Sequence, residues 1–211
     1  FDLNHGHQQT LVGMTTFEVI HEDVINELTQ MYPLIKNLVK DDQAIIEAGF
    51  KKWAENIIAN GVPHNNWDLF QADFIVKIAL VLQDDQAYAD GKGKQYYLDY
   101  VVNQNSIRQW SVNKLIDFGF DARSKTWYES PGYSTTVLGL LGEFSNMLDE
   151  KAGIDLFQKC PILVDAVKNS AEYLFPNRMI AGFGDTHPGY LNTGGIDEVL
   201  KYATRHKNKN L

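Results

Sequence analysis

Apolar residues recur at three- and four-residue spacings along most of this chain, the period of helices that bury one face. Residues 17–39 place Phe17, Ile20, Val24, Ile25, Leu28 and Met31 on such a stripe. Pro33 is expected to end or kink this first helix near Met31 or Tyr32, because its ring crowds the preceding turn and it brings no N–H. Residues 41–59 predict a second helix, opened by Asp41 and Asp42 at the positive dipole end and closed by the C-cap pair Asn60-Gly61. Residues 67–82 (WDLFQADFIVKIALVL) are apolar on most sides, which predicts a buried third helix. Residues 95–104, 109–118, 134–149, 153–172 and 194–205 predict the remaining helices, with an interruption at Pro161. Only residues 178–183 (RMIAGF) invite a strand.

The fold class this predicts is all-α, as a helical bundle, a solenoid or an (α/α) toroid of antiparallel helix hairpins. No fixed-period motif recurs, and helices apolar on most faces favour a double layer over a simple repeat. At 211 residues the chain reads as a single helical domain, 1–211. A short strand or two near 178–191 is all the sheet expected.

Charge narrows the partners. A net charge of −8 disfavours nucleic acid, whose backbone needs a dense basic surface. An acidic substrate would have to meet a local basic patch, since the whole-molecule field repels it. No apolar run is long enough to span a bilayer. The opening FDLNHGHQQT lacks the basic and apolar regions of a signal peptide, and Phe1 in place of an initiator Met reads as a processed or excised segment. The single cysteine, Cys160, cannot form an internal disulfide, and its setting FQKCPILVDAV reads as buried core. Metal sites look poor: His5 and His7 have no third ligand in sequence, and His21 and His206 stand alone. Neither metal nor cofactor is expected in this segment.

Three loops carry more polar and aromatic side chains than turns need. In GVPHNNWD, residues 61–68, Asn65 or Asn66 can cap the next helix. One asparagine suffices for that, so the second, beside His64 and Trp67, is surplus. In TWYESPGYSTT, residues 126–136, Pro131-Gly132 makes the turn and Ser130 or Ser134 can cap the helix. Tyr133 then stands at the positive helix end, where a phenolate is stabilised; the plain alternative is a tyrosine packed in a corner. The third, AGFGDTHPGYLNTGG, residues 181–195, is long and glycine-rich, and a loop of that length in a helical domain serves a function or a domain junction. It has no strand–GxGxxG–helix order and no GK[ST] ending, so it is neither a dinucleotide nor a phosphate loop. His187 reads equally as a base or as a surface histidine.

NNWD before a helix, WYESPGY heading an apolar helix and FGDTHPG near the end resemble, in that order, the heparinase II/III-like polysaccharide lyases of Bacteroidetes type. The resemblance runs from about Trp53 to Tyr202. It implies the C-terminal part of an incomplete (α/α) toroid, cut before a β-sandwich region that in some relatives carries a structural metal. The implied localisation is periplasmic or secreted, and the implied partner is an acidic polysaccharide or oligosaccharide. The implied chemistry is β-elimination: a uronic acid loses its C5 proton and the 4-linked oxygen leaves. Asn66 would hydrogen-bond the uronate carboxylate and Tyr133 would act as acid and base. Where relatives often carry a histidine after the asparagine, this chain has Trp67, so His187 or His64 is left to serve as base. His64, Asn65, Trp67, Tyr128 and Glu129 would line the substrate. Two other functions fit the residues: an (α/α)-barrel glycoside hydrolase using paired carboxylates such as Glu129 and Asp185, and a non-catalytic carbohydrate-binding domain whose Trp67, Trp110, Trp127 and Tyr128 stack on sugars.

Overall fold

The computed structural model describes residues 24–184 and 187–208; His5, His7, His21 and Asp185 lie outside them. Among the described residues there are nine α-helices and one two-stranded β-ribbon, an all-α fold. The chain divides into two compact units, Phe1–Leu115 and Ile116–Leu211.

In the first unit, α1 (Val24–Ile35), α2 (Gln43–Asn60) and α4 (Lys94–Asn103) all pack on α3 (Asn65–Val81). The all-round apolar pattern of α3 is thereby explained: Leu69, Ala72, Phe74, Ile75, Val76, Ile78 and Ala79 are each at most 2 % exposed. The expectation that Pro33 ends α1 near Met31 or Tyr32 is corrected, because the helix runs on to Ile35. Pro33 stands in the last turn, where it withholds one N–H, and the ladder resumes with Lys36 N–H on Tyr32 O at 2.8 Å. Asp41 and Asp42 fall in a 3-10 turn ahead of α2 instead of its first turn. Gly61 does follow α2, but its φ of −64° is not the left-handed cap conformation. Glycine is needed there for close approach, since a Cβ would lie 2.6 Å from Arg108 O and 2.8 Å from Gln71 Nε2.

In the second unit, α6 (Pro131–Ala152) packs on α9 (Gly194–Arg205) and α8 (Ile162–Asn169). The α6–α9 contact is close because Gly139 faces Gly194 and Gly142 faces Glu198; a Cβ at Gly142 would lie 2.6 Å from that of Glu198. Gly153 ends α6 in the left-handed conformation, φ 67°. As expected, 153–172 is broken at Pro161, into α7 (Leu156–Lys159) and α8. β1 (Met179–Ile180) pairs antiparallel with β2 (Gly189–Tyr190) inside the predicted strand region. Cys160 is half-buried at the end of α7, not core; burial, and then the charge of Asp117, push its thiol up. His206 is not solitary: its Nε2 lies 2.7 Å from Asp149 Oδ2, and its ring lies against Tyr202.

The helix α5 (Val112–Gly119) leads into a corner built on Trp127, which is 3 % exposed and edge-on to Phe120 at 5.2 Å. A Cβ at Gly119 would lie 2.0 Å from Trp127 Cζ3. Gly119→Ala is therefore expected to cost about 1–3 kcal/mol by overpacking. Gly49→Ala, with nothing within 4 Å, should instead stabilise α2 by about 0.5–1 kcal/mol. Thermal unfolding of the two variants should move in opposite directions.

Candidate functional site

The predicted site residues fall into two clusters, one in each unit. In the first, α3 begins at Asn65, so His64 occupies the cap position and the capping reading of Asn65 and Asn66 is corrected. Asn66 and Trp67 are half-buried in the first turn, and His64 is exposed. The His64 backbone has φ 60° and ψ 172°, a region that belongs to glycine and costs a side-chain-bearing residue about 1–3 kcal/mol.

Asp68, one turn into α3, holds this geometry. Its Oδ2 accepts from His64 N–H at 3.3 Å and from Trp110 N–H at 3.2 Å. The His64 ring then sits 4.5 Å from that of Trp110, and Lys114 Nζ lies 3.9 Å from the Trp110 ring centre. Gln109 donates to Asp68 O at 3.1 Å and accepts from Gln71, whose own oxygen accepts Val62 N–H at 2.6 Å. Asp68, Gln71 and Gln109 are all fully buried, so loops 61–64 and 106–110 are tied to α3 from inside. The cationic side chains of Arg108 and Lys114 are exposed and form no salt bridge among the described residues, which gives this face positive charge in an acidic chain.

Asp68 Oδ1 is buried with no hydrogen-bond partner. Burial pushes the Asp68 carboxyl up to about 7, against the N–H groups of Trp110 and His64, Gln109 and the charge of Lys114. A carboxyl raised above its unfolded value, about 3.9, binds its proton more tightly in the folded protein. The stability it contributes is therefore full below about pH 4 and is lost as pH rises through about 7. We expect the melting temperature to fall across that window relative to Asp68→Asn, with a difference on the order of a few kcal/mol at pH 8. Parallel pH-dependent melts of the two proteins check this.

In the second cluster Ser130 occupies the α6 cap position without a side-chain cap bond, and Ser134 Oγ pairs with Tyr173 Oη at 3.1 Å, so neither serine caps. Pro131 fills the first helical position, where its missing N–H costs nothing. Tyr133, in that first turn, is 38 % exposed, and its hydroxyl has no hydrogen-bond partner among the described residues. Trp127 is the residue most deeply packed in this corner, and Tyr133 is the more open of the two. Trp127 is too buried to stack on a sugar, and its indole N–H donates to Glu129 Oε2 at 2.7 Å. Glu129 is thus engaged at the corner. Tyr128 is 63 % exposed, with its hydroxyl 3.4 Å from Asp121 Oδ2.

The long loop comes to this corner. Gly184, φ 73°, packs on Ser130: a Cβ there would lie 3.1 Å from the serine Cβ. Gly182 is closed on Pro188, and Asn192 Oδ1 accepts Gly194 N–H at 2.9 Å ahead of α9. His187 is exposed in the turn between β1 and β2. Two of the three sequence motifs therefore meet at the α6 entrance. Asp68 was not singled out by the sequence, although it and Gln71 stand in a largely apolar helix, the available signal.

The model of the family described as endo-acting ulvan lyase 2nd domain matches residues 123–211. The match supports a polysaccharide lyase family, though not the heparinase II/III-like one in particular. Asn66 and the rest of the first cluster precede the matched range. No curated protein and no solved structure matches the chain.

Proposed function

We propose that this chain is part of a polysaccharide lyase that cleaves a uronic-acid-containing polysaccharide by β-elimination. The observation that carries the reading is the family match over 123–211, the range that holds the exposed Tyr133, whose hydroxyl has no hydrogen-bond partner among the described residues. Ulvan, named in that family's description, is the first polymer to try. Arg108 and Lys114 supply the local positive charge that an acidic polymer needs on a chain of net charge −8.

In this reading the Asn66 amide donates to the uronate carboxylate, which makes the C5 proton acidic enough to remove. The C5–H electron pair forms the C4–C5 double bond, the C4–O bond breaks, and the leaving oxygen takes a proton. Tyr133 carries that proton, helped by its place at the positive end of α6, and His187 or His64 serves as the base. His64, Asn65, Trp67 and Tyr128 contact the sugar, while Glu129 acts through its bond to Trp127. In this reading the enzyme works in the periplasm or outside the cell, where it would meet such a polymer.

The full-length protein incubated with ulvan and other uronate polymers should generate the ultraviolet absorbance of an unsaturated uronate. New reducing ends without that absorbance would mean hydrolysis, and binding without product would mean a carbohydrate-binding domain.

A further inference from the structure

We propose that Asp68 is the positioning residue of the α3 entrance: one buried carboxylate oxygen clamps the His64 and Trp110 backbones, from two loops, so that His64, Asn66 and Trp110 face the sugar together. The part of this that concerns sugar rests on the lyase reading above; the clamp does not.

The geometry argues for more than packing. His64 is held in a conformation its side chain resists, and strain of that kind persists only where the surroundings impose it. Its restraints are the N–H bond to Asp68 Oδ2 and the ring contact with Trp110, and Trp110 is anchored to the same oxygen. An asparagine could accept both N–H groups through its carbonyl oxygen without burying an ionisable group. The chain instead keeps a carboxyl whose second oxygen is buried and unpartnered. That oxygen can take the proton while Oδ2 goes on accepting. The ionised form grips both N–H groups more strongly, since charge-assisted bonds are roughly twice as strong as neutral ones. The clamp is therefore tightest where the fold is least stable, on the alkaline side of the Asp68 titration. The charged or titratable side chains that act on the carboxyl are Lys114 and Tyr100; His64 acts on it through its backbone N–H.

The test labels the His64 and Trp110 amides and the aspartate carboxyl carbons for NMR and titrates the protein from pH 5 to 9. Both amides should move with one shared inflection near that of the Asp68 carboxyl, and Asp68→Asn should leave them in place but abolish the inflection. Asp68→Leu, which removes both acceptors, should displace the two amides together and raise KM for the polymer by about tenfold, the scale of a lost hydrogen bond, with Asp68→Asn restoring most of it. Independent titration of the two amides, or an inflection that survives in Asp68→Asn, overturns the proposal. The asparagine variant decides the matter even if the leucine variant does not fold. If the wild type turns over no uronate polymer, the lyase reading fails and the paired amide shifts still decide the clamp.

Discussion

Tyr133→Phe is expected to abolish nearly all turnover of the full-length enzyme while leaving its fold and polymer binding close to wild type. Phenylalanine keeps the ring, so whatever packing Tyr133 has at the α6 entrance survives. The hydroxyl makes no hydrogen bond among the described residues, so its loss leaves no partner unsatisfied and should cost little stability. What disappears is the group assigned to carry the proton, a general acid–base contribution of roughly 10²–10⁴ in rate. Tyr128→Phe is the control. It loses only a long contact to Asp121 at 3.4 Å and should keep most activity. If Tyr133→Phe retains more than about a tenth of turnover, the proton passes through another group.

Asn66→Ala carries the second large effect. The amide is assigned to hydrogen-bond the uronate carboxylate more strongly as charge develops, and removing one such donor costs about 10²–10³ in kcat. Asn66 lies inside the first turn of α3, not at its cap, so the change removes no capping bond and alanine suits the helix. The melting temperature should hold while kcat falls. A large drop in melting temperature with kcat preserved would return Asn66 to a structural role.

The helices were legible because their apolar period is long and regular; α3, α4 and α9 begin and end within two residues of the ranges predicted from spacing. The departures have local causes. Pro33 was overread because a proline in a last turn removes so little of the ladder. α6 starts three residues earlier than its apolar stripe, since Pro131 is suited to a first helical position whatever its hydrophobicity. Gly61 signalled a helix end correctly, yet for a tertiary reason, the approach of Arg108 O, that no local rule contains.

The candidate site was legible as three loops and not as two clusters. Spacing cannot show that Gly184 packs on Ser130, which joins the long loop to the α6 entrance. Nor can it show that Trp127, one of three tryptophans open to a sugar-stacking reading, is buried against Gly119 and hydrogen-bonded to Glu129. Asp68 escaped because a carboxylate four residues after His64 resembles any first-turn acid on a helix dipole. Its importance lies in the second N–H group it accepts, donated by Trp110 from 42 residues further along the chain, a long-range fact.

Mass analysis of the oligosaccharides released from ulvan by the full-length protein tests β-elimination most directly. Elimination adds no water, so each new non-reducing end should carry an unsaturated uronate, one water lighter than its hydrolytic counterpart. Fragments that all carry the added water, or a polymer left intact by active, folded protein, would contradict it.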